Sequence, residues 1–174
     1  CRTCGVENDG AAAPIRCVAC GALLPVHPKV SPFALLGVAR PRFGLDAREL
    51  ERGWLERSRQ VHPDRFASKG EVERRCAAEQ VAALNDAKRA VYDPYDRARW
   101  LGEHAGVEPA PQPQEWLLEI MELRERADAG AAERARVLEE TRARFALLLA
   151  ELHRALAPLD EQAGGYQAAS PPLR

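Results

Sequence analysis

The sequence predicts a mainly α-helical protein in three parts: a small N-terminal tetracysteine module, a helical domain built around a turn, and a C-terminal antiparallel helical hairpin or small bundle. Three observations predict this. Two Cys-x-x-Cys pairs open the chain, the stretch Val61-His62-Pro63-Asp64-Arg65-Phe66 separates two segments of helical periodicity, and two further helical stripes follow a proline-rich break.

Composition sets the outer bounds. At 174 residues the chain holds one ordinary domain or two small ones. Its 46% hydrophobic content is enough for a core, and its 29% charged residues suit a surface in water. With 25 basic residues against 26 acidic, no overall field gathers nucleic acid or anionic lipid, so neither is an expected partner. No apolar run approaches the length of a membrane span, and no signal peptide or presequence is visible. The default compartment is therefore the bacterial cytoplasm, with the mitochondrial matrix as the alternative.

The first segment, residues 1–22, carries Cys1-Arg-Thr-Cys4 and Cys17-Val-Ala-Cys20, with Gly5 and Gly21 after the pairs. A two-residue gap lets both thiolates of a pair point at one ion, and two such knuckles close a tetrahedral site. The intervening segment is rich in Gly, Ala, Asn and Asp and cannot build a core, so a metal must hold it. Structural zinc on Cys1, Cys4, Cys17 and Cys20 is the favoured cofactor, since four thiolates leave no open catalytic position. A rubredoxin-like iron site, a redox-active dithiol and disulfide pairing are the other readings. An odd total of five cysteines suits metal in a reducing compartment, and the fifth, Cys76, reads as a helix-packing residue.

Residues 23–30 form a proline-rich linker in which His27 is a solvated histidine. From Asp46, a good N-cap, Leu50, Trp54, Leu55 and Val61 recur at helical spacing. Pro63 has no N–H and disfavours helical geometry at His62, so this helix ends near Val61 and a loop exposes an imidazole and a carboxylate. Cys76, Ala77, Val81, Leu84, Ala87 and Val91 mark a second helix. The first carries Arg48, Arg52, Arg57 and Arg59 among Glu49, Glu51 and Glu56, which by itself reads as a solvated face.

Two antiparallel helices joined by His62-Pro63-Asp64 resemble the J domain, the module through which cochaperones stimulate ATP hydrolysis by DnaK-type heat-shock chaperones. The flanks add to the resemblance. Ser31-Pro32-Phe33-Ala34-Leu35-Leu36-Gly37-Val38 looks like the short first helix of a J domain, Leu84-Asn85-Asp86-Ala87 with Asp93-Pro94 like the end of its third, and Arg97-Ala98-Arg99-Trp100-Leu101 like its fourth. Residues 31–106 are thus expected to be a four-helix J domain. The resemblance implies that His62, Pro63 and Asp64, with Arg57, Arg59 and Arg65, meet the chaperone. Lys88 and Val61 depart from the family, which usually has aromatic residues there.

Residues 107–113, with their prolines, form a second linker before the C-terminal segment, 114–174. Between Gln114 and Asp128, Trp116, Ile120, Leu123 and Ala127 fall on one side of a helix and read as a core stripe. Leu117, Leu118 and Met121 fall on a neighbouring face edged by Glu122 and Glu125, which means either burial between two helices or a partner patch. Ala131 to Leu156 reads as a long helix after a turn at Gly130, with Leu138, Phe145, Leu149, Leu152 and Leu156 as a seam against its neighbour. Gly164-Gly165 and Pro171-Pro172 leave any third helix short or absent.

Trp116-Leu-Leu-Glu-Ile-Met-Glu-Leu-Arg-Glu125 resembles the client-binding helix of HscB, the J-domain cochaperone family of iron-sulfur cluster assembly. That resemblance implies that Leu117, Leu118, Met121, Glu122 and Glu125 bind an IscU-type scaffold, while the J domain engages a DnaK- or HscA-type chaperone and triggers ATP hydrolysis. The cysteine module looks like the N-terminal zinc element of the mitochondrial members, and stabilising the J domain or mediating a homodimer are both open roles for it. An adaptor of this kind is not itself an enzyme, and no nucleophile-base pair or phosphate-cradling loop is visible. The competing readings are a general J-domain cochaperone with another client, and a thiol redox or metal protein.

Overall fold

The computed structural model describes residues 1–10, 12–107 and 113–162. Among them are six α-helices and no strand beyond one isolated bridge. Helix α1 (Pro32–Leu35) starts with the Ser31 hydroxyl accepting the Ala34 amide, and α2 (Ala47–Gln60) with the Asp46 carboxylate accepting the Arg48 amide. Pro63–Arg65 is a single 3-10 turn. Helix α3 (Glu71–Val91) follows, then α4 (Pro94–His104), which Asp93 caps by accepting from the amides of Tyr95 and Asp96 with proline in the first turn. Each cap occupies an orphan amide, and α2 starts where Asp46 predicts; Asp93, expected at the end of the third helix, also starts the fourth.

The core lies where α3 meets α1, α2 and α4. Phe33, Phe43, Leu50, Leu84 and Leu101 are fully buried in it. Each such side chain contributes about 1.5–3 kcal/mol relative to exposure. Gly53 allows α2 to approach α1, because a Cβ there would lie 2.0 Å from the Leu36 carbonyl oxygen. Arg97 is buried as well: its guanidinium donates to the carbonyls of Val91, Tyr92, Phe43 and Leu45. It ties the end of α3 to the loop that precedes α2. Of the two departures from the family, Val61 is fully buried, and the Lys88 ammonium sits 4.0 Å from the Trp54 ring centroid and 2.6 Å from Glu51.

The cysteine module joins this core. Ala13 and Ile15 are buried with Phe33 and Leu35, and Leu23, Val26 and Val30 pack against the same cluster. The expected linker at residues 23–30 is therefore packed along the helices through Leu23, Leu24, Val26 and Val30, while Pro25 and Pro28 are exposed. Cys76 is partly buried, and its thiol donates to the Leu24 carbonyl.

Helices α5 (Gln114–Asp128) and α6 (Ala131–Glu161) form an antiparallel hairpin turned at Gly130, whose φ of 148° suits glycine. Arg126 bridges Glu133 and Glu140 across it, and Arg144 pairs with Glu119. Helix α6 runs five residues past its expected end, through Pro158. The reason lies in what it packs against. Leu149, Leu152, Leu156 and Leu159 lie on the core of the four-helix domain, and the Asp160 carboxylate accepts the amides of Phe43 and Gly44, both at 2.6 Å. These contacts hold the last turn although proline removes one of its hydrogen bonds. The expected seam is thus divided: its C-terminal half docks on the four-helix domain, while Leu138 and Phe145 remain half-exposed. A third C-terminal helix would fall at residues 163–174, outside the described residues.

Candidate functional site

The cysteine cluster is built by two equivalent turns. In each, the glycine after the pair adopts a positive φ (Gly5 75°, Gly21 70°) and donates its amide to the carbonyl of the first cysteine at 2.9 Å. The four Sγ atoms then converge within 4.8 Å of one another. Cys1 Sγ lies 3.7 Å from that of Cys20, and Cys4 Sγ 3.6 Å from that of Cys17. A disulfide is about 2.05 Å long, whereas the edge of a tetrahedron with metal-sulfur bonds of 2.3 Å is about 3.8 Å. The sulfurs fit a tetrahedral metal ion.

Electrostatics agree with that fit. Backbone amides of Cys20 and Ala19 pull the Cys17 thiol from 9.0 to about 6. The Asn8 side chain adds a hydrogen bond to Cys17 Sγ and accepts from the Val18 amide. Cys20 is pushed the other way: the Ala22 amide lowers it, but the Cys4 side chain, burial and Cys17 outweigh that amide. Four thiols packed this closely cannot all ionise without a cation between them.

The second element is the turn between α2 and α3. Its anchors are Val61 and Phe66, both buried, and between them His62, Pro63, Asp64 and Arg65 are exposed. The Asp64 side chain is 90% accessible. His62 Nδ1 lies 3.3 Å from the Asp64 amide and 3.6 Å from the Asp64 carboxylate, both within the exposed turn. The carboxylate is free to face a partner.

The arginines divide. Arg59 is exposed beside the turn, and Arg65 donates to the Arg59 carbonyl at 3.2 Å. Arg57 points the opposite way: its Nη1 donates to the Ala13 carbonyl at 2.7 Å, and burial lowers its pKa. The solvent face of α2 carries Arg48, Arg52, Leu55 and Arg59 with Glu51 and Glu56 among them. Reading α2 at 100° per residue separates Arg57 from that face by about half a turn, a signal the composition of the helix alone conceals.

The third element is α5, none of whose residues is buried. Leu117 (62%), Leu118 (62%) and Met121 (59%) are exposed on one face, with Glu122 and Glu125 exposed alongside. The expected core stripe is only half-covered, since Trp116 and Ile120 are also exposed. Among the described residues α6 is the one helix packed on α5. Arg16 and Asp160 are contacts that sequence reading does not single out, because their partners lie far along the chain.

A four-helix domain with an exposed His-Pro-Asp turn between antiparallel helices defines a J-domain co-chaperone. The co-chaperone HscB homolog of Bordetella petrii is 37% identical over 148 residues, 82% of this chain and 85% of the relative, and that of Azoarcus sp. is 36% identical over the same length. The chain belongs to the HscB co-chaperone family. The crystal structure of human co-chaperone HscB superposes with a TM-score of 0.78 at 23% identity, covering 91% of this chain and 84% of that one. Chaperone HscB from Vibrio cholerae matches with a TM-score of 0.64 at 32% identity, over 74% and 81%. No protein-family model matches the sequence. No helix among the described residues is long and apolar enough to cross a membrane.

Proposed function

We propose that this protein is the adaptor of iron-sulfur cluster transfer: it binds the cluster scaffold through α5, presents it to a DnaK-type chaperone, and stimulates that chaperone's ATP hydrolysis. The single observation that carries this reading is the Asp64 carboxylate, 90% accessible on a turn whose two ends are buried. Arg59 and Arg65 flank it, and Arg52 and Arg48 continue along the solvent face of α2 with Glu51 and Glu56 between them. Arg57 belongs to the joint between the module and α2. An acidic chaperone surface suits this arrangement, since a desolvated charge pair at its centre fixes register as well as affinity.

The scaffold reading rests on Leu117, Leu118 and Met121, an apolar patch edged by Glu122 and Glu125. Apolar anchors inside a polar rim are the usual anatomy of a protein interface. Zinc in a structural role is the metal we assign to the cysteine module, since four thiolates complete a tetrahedral shell and leave no open catalytic position. The functional parts are the module at 1–22, the J domain at 31–106 and the scaffold-binding segment at 114–174. The bacterial origin of the relatives supports the cytoplasm over the mitochondrial matrix.

Replacing Asp64 by Asn tests the chaperone contact. The substitution keeps size and exposure, so circular dichroism and melting are expected to be unchanged while stimulation of ATP hydrolysis is abolished. Retained stimulation in the Asn variant contradicts the assignment.

A further inference from the structure

Arg16 stands one residue before the metal ligand Cys17, and its side chain leaves the module. Nη1 donates to the Gly21 carbonyl at 3.0 Å, closing the second knuckle. Nη2 reaches the Gln60 carbonyl, at the last residue of α2, at 3.4 Å, and the guanidinium carbon lies 5.8 Å from the Phe66 ring centroid. Gln60 and Phe66 bracket the segment that carries His62, Pro63 and Asp64. One guanidinium therefore connects the second knuckle to both ends of the turn.

The backbone on which Arg16 sits is set by the same knuckle. Arg16 and Leu23 form an antiparallel bridge, and the Cys17 amide donates to Ala22 at 2.8 Å. Two further bonds hold this segment to the helices on either side of the turn: Arg57 to the Ala13 carbonyl from α2, and Gln80 Nε2 to the Leu24 carbonyl at 2.7 Å from α3. The turn has little of its own. Its backbone bonds are local, Arg65 to His62 at 3.0 Å and Phe66 to Pro63 at 2.9 Å, and its residues are exposed. Segments held by a few local bonds at the surface open at little cost.

We propose that Arg16 is a positioning residue for the His-Pro-Asp turn, and that the metal module acts through it as a brace that holds the turn in its docking conformation. This inference rests on the reading of that turn as the chaperone contact. The guanidinium is suited to the role because its planar fork spans two carbonyl acceptors while its charge lies within cation–π range of the Phe66 ring. A metal ion on Cys17 and Cys20 fixes the bridge that aims it.

The test uses the full chain loaded with zinc. Amide hydrogen exchange at Arg65 and Phe66 is compared in wild type and Arg16→Ala, with Leu84 and Ala87 of α3 as internal controls. The expected result is an acceleration of about tenfold at Arg65 and Phe66 with the controls unchanged. Removing zinc from the wild type is expected to give the same acceleration, and removing it from the variant to add nothing. Arg16→Gln keeps one amide for the Gly21 carbonyl but cannot span to Gln60, so it retains zinc and still accelerates exchange. In chaperone assays the concentration for half-maximal stimulation rises about fivefold at unchanged maximal rate. Unchanged exchange at Arg65 and Phe66, additive effects of substitution and zinc removal, or wild-type exchange in Arg16→Gln would overturn the proposal. Exchange as expected without any stimulation of a chaperone by wild type refutes the functional reading and leaves the brace standing.

Discussion

The backbone amide of Phe43 donates to Oδ1 of Asp160 at 2.6 Å, a contact between residues 117 positions apart. The other carboxylate oxygen takes the Gly44 amide, and Arg40 reaches the Asp160 and Gln162 carbonyls at the end of α6. Beside them the Phe43 and His153 rings lie 4.6 Å apart. The end of the α5–α6 hairpin is thereby latched to the loop before α2, the helix that leads into the His-Pro-Asp turn.

Breaking this latch has a calculable cost. Asp160→Ala leaves two backbone amides without their charged acceptor, and a hydrogen bond to a charged group contributes about 1.5–3 kcal/mol. Chemical denaturation of Asp160→Ala is expected to show a loss of a few kcal/mol in total, with Leu149, Leu152 and Leu156 gaining exposure. A stability equal to wild type would mean that α6 is held by its leucines alone.

Arg97 is the larger commitment. Its guanidinium satisfies four carbonyls in the core and is itself satisfied by them. Arg97→Met keeps the length but strands those carbonyls, at about 1–3 kcal/mol for each that water cannot reach. We expect a loss of roughly 3 kcal/mol or more in denaturant unfolding. A loss below about 1 kcal/mol would show that water replaces the side chain.

The cysteine centre carries a pH dependence whose sign is set by Cys17. Amides of Cys20 and Ala19 depress its thiol from 9.0 to about 6 in the folded chain. The thiolate is thus favoured by folding: its contribution is complete above pH 9, shrinks as pH falls, and is gone below about 6. In metal-free protein, the first thiolate detected by ultraviolet absorbance is expected to ionise near pH 6. Metal affinity, measured by competition with a chromophoric chelator, weakens as protons compete for the same sulfurs. A first ionisation near 9 contradicts the amide geometry of the knuckle.

On α5, Leu117→Ala with Met121→Ala removes two of the exposed apolar anchors while no buried residue changes. Truncating interface anchors costs about 1–2 kcal/mol each or more. Scaffold affinity is therefore expected to fall at least tenfold by calorimetry, with melting unaffected. Equal affinity would place the scaffold elsewhere.

Local chemistry made much of this legible in the sequence. Asp46 marked the start of α2, Pro63 its end, and the two Cys-x-x-Cys pairs announced the cysteine cluster, because each of those signals acts within a few residues. Long-range relationships were not legible. Leu149, Leu152 and Leu156 showed a seam without saying that it meets the four-helix domain, and Arg57 joined the chaperone-facing set because its charge is visible in the sequence while Ala13, its partner, is 44 residues away. Arg16 was hidden for the same reason. Its partners, Gln60 and Phe66, are brought to it only by the packing of the module on α2 and α3.

The measurement that tests the adaptor most directly is single-turnover ATP hydrolysis by the partner chaperone with this protein, with the scaffold, and with both together. The account predicts that the two together accelerate hydrolysis beyond the sum of their separate effects, and that Asp64→Asn removes the gain. Stimulation by this protein that is indifferent to the scaffold would contradict it and leave a general J-domain cochaperone.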